Sequence, residues 1–446
     1  MKLCKTKLTQ TQIIALGFLL MIVAGGLLLM LPISSKSGEW TSFSDALFTS
    51  TSATCVTGLI VRDTFRYWSL FGQLVILVLI QIGGLGFMTI ATLFSLMLRR
   101  KIGLKERELL HESVSTLHIG GIVKLTKRIL IGTCLFEGIG AILLSIRFIP
   151  QLGIIKGIYN AIFHSVSAFC NAGFDLMGRY EEYSSLTAYA GDPIINITIM
   201  VLIVIGGIGF LVWEDVLMHK LKFRKYRLHS KIVLTMTALL VFGGAILFFL
   251  FENNKLMADM TMKEKIFSSL FSSVTARTAG FNTIDTAGLS QSSKLLTIIL
   301  MFIGGSPGST AGGIKTTTFF VIALYVLSSM RHENGCNIFG RRIEPDAIRR
   351  AASVFATNLF LALSVTLVIC GIQSFNLVDV LFETFSAIGT VGMSTGITRD
   401  LEEISRMLIV FLMYCGRVGS LSFALAFTER KIPSPLQQPV EKITIG

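Results

Sequence analysis

The sequence predicts an all-α polytopic membrane protein of eight transmembrane spans, built as four helix, re-entrant loop, helix units around one axis. Three observations predict it: a composition suited to lipid, eight long apolar stretches, and a glycine-centred motif that occurs four times. Of the 446 residues, 52% are hydrophobic and 15% charged, and the mean hydropathy is +0.70. A water-soluble domain carries about 25% charged residues, so lipid is the solvent for which this chain is composed. The high hydropathy excludes disorder. Long unbroken apolar runs exclude a membrane β-barrel, whose strands would alternate. The seven cysteines, Cys4, Cys55, Cys134, Cys170, Cys336, Cys370 and Cys415, have neither the spacing of a disulfide framework nor that of metal ligands. They read as small packing residues.

The apolar stretches run over 12–32, 69–98, 129–149, 194–218, 230–251, 294–330, 352–372 and 404–428. Each reaches the roughly 20 residues that cross a bilayer core. The sixth is too long and too rich in glycine for one straight helix and is expected to break. The first has no small-residue cleavage site behind it and runs into Leu31-Pro32-Ile33-Ser34-Ser35, which predicts a retained helix and not a signal peptide. The links 99–128, 219–229 and 331–351 are basic, carrying Arg99-Arg100-Lys101, the run 220–227, Arg341-Arg342 and Arg349-Arg350. The alternate links 33–68, 150–193, 252–293 and 373–403 are balanced or acidic. By the positive-inside rule both termini are cytoplasmic. The net charge of +13 then reflects topology and contact with anionic lipid, with a cytosolic partner as the second reading of the basic runs and no call for nucleic acid.

The repeat lies in the outward links. Segments 48–58, 163–173, 270–280 and 382–392 align without gaps on Gly58, Gly173, Gly280 and Gly392, with Phe or Leu ten residues before each glycine and Ser or Thr eight before. The glycines are 115, 107 and 112 residues apart. A second cluster recurs in the helix that follows: Gly83-Gly84-Leu85-Gly86, Gly206-Gly207-Ile208-Gly209, Gly304-Gly305-Ser306-Pro307 and Gly416-Arg417-Val418-Gly419. Each unit reads as helix, short amphipathic re-entrant helix, glycine loop, helix, the plan of a pore-loop channel subunit. The units are 1–110, 111–228, 229–340 and 341–428, followed by a cytoplasmic tail, 429–446.

A filter strips an ion of water and offers backbone carbonyls instead, which needs a backbone geometry that a Cβ would obstruct. Irregular backbone at membrane depth survives only when buried or lining a water-filled path. The candidate filter residues, binding a cation through their carbonyls, are Thr54, Cys55, Val56, Thr57 and Gly58; Cys170, Asn171, Ala172 and Gly173; Arg277, Thr278, Ala279 and Gly280; and Gly389, Thr390, Val391 and Gly392. Close helix packing suits the glycines of 83–86 and 206–209 but not the four that sit in polar loops. A secondary transporter of another cation or small solute is the alternative, although it would favour inverted repeats where these are parallel. An enzyme is not expected, because the chain has no P-loop, no nucleophile cluster and no metal-ligand spacing.

Thr54-Cys55-Val56-Thr57-Gly58-Leu59, Thr278-Ala279-Gly280-Phe281-Asn282-Thr283, Thr390-Val391-Gly392-Met393-Ser394 and the run 302–316 beginning Phe302-Ile303-Gly304-Gly305 together resemble the Trk/Ktr/HKT superfamily of potassium transporters. The likeness covers essentially the whole chain and is strongest to a bacterial Ktr membrane subunit. It implies K+ uptake across the bacterial plasma membrane, often stimulated by Na+, by a homodimer in which each chain has its own pore. It also implies a cytosolic ring of nucleotide-binding RCK subunits that gates the pore, so that this chain carries no cofactor, K+ is its substrate, and nucleotide sits on the partner. Glycine in all four filter positions is the pattern associated with K+; serine in the first would suggest Na+.

The family's intramembrane gate, a polar glycine-rich loop held by an arginine, maps onto Gly304, Gly305, Ser306, Gly308, Ser309, Thr310, Gly312, Gly313 and Lys315 within the broken third-unit helix, with Arg417 of the last span as the arginine. A charge near the middle of the last span costs at least a few kcal/mol unless it meets water or a partner, so Arg417 is expected to face the pore. Phe169, Asn171 and Arg277 break strict fourfold symmetry. The Arg277 side chain is expected behind the filter, with Glu383 as its ion-pair partner. Glu137 reads as a helix-interface residue or part of an ion-coupling site. His111, His118, His164, His219, His229 and His332 form no ligand pair.

Overall fold

The computed structural model describes residues 9–86, 89, 122–220, 222–333, 335–419, 441 and 444. The boundary expected at 110/111, the run Arg99-Arg100-Lys101, His111, His118, Cys4, the end of the last apolar stretch and nearly all of the tail 429–446 lie outside these residues.

Helices begin where the sequence supplies caps. Thr9 and Gln12 form a reciprocal capping box at the head of α1, Gln10–Met30, which satisfies two backbone donors that a helix end otherwise leaves open. Ser42 caps α2, Phe43–Thr54, and Ser69 caps α3, Leu70–Leu85. The second unit holds α4, Ile122–Leu152, and α5, Ile154–Phe169, which turn on Gly153 at φ +80°. It continues with α6, Pro193–Gly207, and α7, Phe210–His219. The third holds α8, Leu228–Glu252; α9, Met262–Thr275, opened by a Thr261/Glu264 capping box; α10, Gln291–Phe302; and α11, Thr316–Met330. A two-residue hairpin, with Asn337 opposite Arg342, leads to α12, Pro345–Ile372, then α13, Leu377–Gly389, and α14, Glu403–Val418.

Among the described residues, α1, α4, α8 and α12 are each long and apolar enough to cross a membrane, and the bent pair α6 and α7 makes a fifth candidate. Their outer faces are greasy: Leu20, Ile142, Leu250 and Leu367 are 61%, 68%, 66% and 75% exposed. Such surface is stable against acyl chains and not against water, so the chain is a multi-pass membrane protein.

The short helices α2, α5 and α9 dock by one device. Ser50, Ser165 and Ser273 donate their hydroxyls to the Ile22, Glu137 and Val241 carbonyls of the preceding long helices, at 2.7, 2.6 and 2.8 Å. A Thr366–Thr384 hydroxyl pair, 2.7 Å apart, joins α12 to α13 instead. The gapless alignment is therefore corrected in the third unit. Ser273 and Thr275 lie one residue closer to Gly280 than Ser50 and Ser52 lie to Gly58, so this helix joins its glycine through one residue fewer.

The sixth apolar stretch breaks between α10 and α11. The fourth, read from sequence as one span, also breaks, with a bend of 97° between α6 and α7. The cause is its glycine cluster. A Cβ on Gly206 would collide with the Phe169 carbonyl at the end of α5, and Gly209 takes φ +93°. The glycines thus give the close packing expected of them and stop the helix as well. α14 ends at Val418, with Gly419 at φ +95°, which places Arg417 in the last turn of that helix.

Candidate functional site

The four short helices converge, and their terminal loops meet in cyclic order. A Cβ built on Gly58 would lie 2.5 Å from the Ala172 carbonyl oxygen; on Gly173, 2.6 Å from that of Ala279; on Gly280, 2.5 Å from that of Val391. On Gly392 it would collide with the Thr57 carbonyl, which returns to the first loop. All four glycines have φ between +70° and +94°, where only glycine is unstrained. Glycine is needed twice over, for its dihedral and for the carbonyl of the next loop.

Two residues before each glycine, Val56, Asn171, Thr278 and Thr390 also have positive φ, from +50° to +73°. Non-glycine residues hold such conformations at a cost of order 1–3 kcal/mol each, where the surroundings impose them. Hydrogen bonds impose them here. Thr57 N–H donates to Ser52 O at 2.8 Å, Ala172 N–H to Ser167 O at 2.8 Å and Val391 N–H to Ser386 O at 2.9 Å, while the Ser52 and Ser386 hydroxyls accept from Gly58 and Gly392 N–H. Sequence reasoning missed this strain, since only Asn171 is a residue that favours the left-handed region.

Above the ring lies a cavity of about 620 Å³ with the four glycines as its floor. Its walls carry Asp63, Asp175, Glu181, Glu182 and Asp285 against a single guanidinium, Arg399. Asp63 accepts from the Arg66 and Tyr183 backbone N–H groups at 2.7 and 3.0 Å, and Arg399 stacks on the Tyr183 ring 4.2 Å from its centroid. The wall is thereby stitched from three units. Partial burial, reinforced by the Asp63 carboxylate, outweighs the Met177 N–H hydrogen bond and pushes the Asp175 carboxyl up to about 7. Sequence reasoning singled out none of these carboxylates; the acidic bias of the outward links was their only signal.

Below the ring, the segment 303–315 between α10 and α11 folds under the loops and touches the second and fourth units. Ser306 N–H donates to Gly207 O at 3.0 Å, Thr310 N–H to Gly206 O at 3.3 Å, and Phe210 N–H to Gly308 O at 2.8 Å. The break between α6 and α7 is what exposes these groups. The Thr310 hydroxyl lies 3.3 Å from Asn171 Oδ1, and a Cβ on Gly312 would collide with the Thr390 hydroxyl. Ser306 shares a hydrogen bond with Thr316, Ser309 donates to Ser306 O, and Lys315 Nζ donates to Ala311 O at 2.7 Å. Arg417 joins the remaining units: its guanidinium donates to Thr310 O, to Gly83 O, and to Gly84 O at 3.0 Å. Among the described residues, all the hydrogen-bond acceptors found for Arg417 and Lys315 are backbone carbonyls.

The expected Arg277–Glu383 ion pair does not form. Arg277 is buried against Thr237 of α8, with Nη2 3.5 Å from its hydroxyl. Glu383 accepts hydrogen bonds from the Ser394 and Thr398 hydroxyls. Each side chain is engaged within its own unit, which the aligned positions could not reveal, and Arg277 Nε is left as a buried donor without a hydrogen-bond partner. No cluster of three or more His, Cys, Asp or Glu suited to a metal occurs among the described residues.

A family model described as cation transport protein, TrkH, matches residues 6–436. The chain is 41% identical to the potassium/sodium uptake protein NtpJ of Enterococcus hirae over 100% of this chain and 99% of that one. It is also 41% identical to Ktr system potassium uptake protein B of Bacillus subtilis, over 99% and 97% of the two chains. The crystal structure of the potassium transporter TrkH from Vibrio parahaemolyticus superposes with a TM-score of 0.72 over 96% of this chain and 87% of that one; at 17% identity this is a likeness of fold. With the family model and full-length relatives agreeing, the chain belongs to the TrkH family of cation transport proteins.

Proposed function

We propose that this chain is the pore-forming subunit of a K+ uptake system in the bacterial plasma membrane. The observation that carries the reading is the cyclic contact of Gly58, Gly173, Gly280 and Gly392, each seated on the carbonyl preceding the next. Four such carbonyls around one axis suit a dehydrated monovalent cation. Carbonyls of the segments 54–58, 170–173, 277–280 and 389–392 form the filter, in four units spanning 1–110, 111–228, 229–340 and 341–428 with eight spans and both termini cytoplasmic. The names of the Ktr relatives and of NtpJ support K+ uptake with a role for Na+. The chain works as a homodimer, contacts lipid, and takes its regulation from a cytosolic RCK-type ring that carries the nucleotide, while the loop of Gly304 to Lys315 with Arg417 is its gate. Growth of a K+-uptake-deficient bacterium at low K+ tests the reading. Rescue by this chain with a candidate ring subunit supports it, and failure to rescue despite verified insertion and a suitable partner returns the reading to another cation or small solute.

The acidic vestibule concentrates cations ahead of the filter. With its carboxyl raised to about 7, Asp175 is mostly protonated at an external pH near 6 and mostly ionised near 8. The vestibule therefore gains a negative charge as pH rises through that range. The apparent KM for K+ is expected to fall by about two- to fivefold over that rise at low ionic strength, and Asp175→Asn to flatten the profile at the high-KM level. Uptake kinetics at several external pH values check this.

A further inference from the structure

The second loop is backed by a brace of a carboxyl, an amide and a thiol. Ile22, Glu137 and Val241 occupy matching positions, each giving its carbonyl to a serine of a short helix, yet only one carries a polar side chain. Gln81 stands two residues before the glycine pair of its helix, where the corresponding residues are Val204, Phe302 and Tyr414. These two exceptions meet. Gln81 Nε2 donates to Glu137 Oε2 at 3.3 Å, and the Cys170 thiol points at both, 3.6 Å from Gln81 Oε1 and 3.9 Å from Glu137 Oε1. Gly84 leaves the space for this sulfur, since a Cβ there would lie 2.7 Å from Sγ. A carboxyl and an amide at membrane depth are costly unless they satisfy one another.

Cys170 leads directly into Asn171, whose side chain donates to the Thr278 hydroxyl at 3.2 Å and faces the Thr310 hydroxyl at 3.3 Å. The brace therefore stands behind the point where the second loop touches both the third loop and the segment beneath. We propose that Glu137, acting through Gln81 and Cys170, is a positioning residue that holds the second filter strand and so sets discrimination between K+ and Na+. The inference rests on the filter reading above.

The test is the Na+/K+ flux ratio of the full chain with its ring partner, measured in vesicles with protein level and size-exclusion profile checked. Glu137→Leu raises the ratio by about fivefold, as expected for losing one buried hydrogen bond, whereas Glu137→Gln, which can still pair with Gln81, stays near wild type. Cys170→Ala raises it similarly and Cys170→Ser does not. The double variant Glu137→Leu/Cys170→Ala is no worse than the poorer single one. If Glu137→Leu does not fold, the Cys170→Ala and Cys170→Ser pair decides. An unchanged ratio in Glu137→Leu or Cys170→Ala, equal defects in Glu137→Gln and Glu137→Leu, or additive effects in the double variant would overturn the brace. Gly392→Ser run alongside separates the two readings: if it alone destroys selectivity, the filter stands without the brace, and if it has no effect, the filter reading fails first.

Discussion

Replacing Arg417 with alanine raises K+ flux by about tenfold or more and leaves the Na+/K+ ratio unchanged. The guanidinium ties the Thr310 carbonyl of the segment beneath the filter to the Gly83 and Gly84 carbonyls at the end of α3. Hydrogen bonds from a charged donor are worth roughly 1.5–3 kcal/mol each. On the gate reading proposed above, they shift its balance only by the part lost when the segment moves aside. A differential of about 2 kcal/mol changes the ratio of blocked to unblocked chains roughly 30-fold, so even partial loss is measurable. Selectivity is spared because the ring of glycines is held by Ser52, Ser167 and Ser386, none of which touches Arg417. Arg417→Lys recovers little, since one ammonium cannot span carbonyls on two segments as a planar fork does. Unchanged flux in Arg417→Ala, measured by 86Rb+ uptake into vesicles of matched protein content, removes the segment from the role of gate.

The parts legible in the sequence were those written in local pattern. Apolar length marked the long helices, and the Gly58, Gly173, Gly280 and Gly392 register singled out loops that meet in space, because a backbone that must pass a neighbouring carbonyl leaves the same residue each time. What stayed illegible depends on contacts between units. The break between α6 and α7 follows from Gly206 lying against Phe169 O, which no periodicity encodes. The one-residue shortening of the third unit was hidden because Ser272 and Ser273 both satisfy a serine pattern, and only the hydroxyl contact to Val241 distinguishes them. Glu383 looked like a counter-charge for Arg277 by aligned position, but Ser394 and Thr398, eleven and fifteen residues further on, fold back and satisfy it.

Gly392→Ser is expected to abolish selective K+ uptake, and the geometry says why relief is unavailable. Its φ is +89°, a conformation that a Cβ makes costly, and the new atom would overlap Thr57 O and approach Gly58 Cα to 2.8 Å. Both neighbours are backbone of the adjacent loop, so neither can rotate away as a flexible side chain would. Thr57 is held by its N–H bond to Ser52 O, and Gly58 by the Ser52 hydroxyl. Moving the first loop would displace its contact with Ala172 in turn, so the distortion passes around the ring. Strain of about 1–3 kcal/mol at the substituted residue alone corresponds to a roughly 5- to 150-fold loss of the filter-competent form, before the overlap is added. Gly38 is the control: it has φ +73° but nothing within 4 Å of an added Cβ, so Gly38→Ser carries the dihedral strain without the collision and is expected to keep uptake within about twofold. Growth at low K+ and the Na+/K+ flux ratio of the two variants, at equal membrane levels, separate strain from collision. Normal selectivity in Gly392→Ser would mean that the carbonyls around this ring are not the ones that recognise the ion.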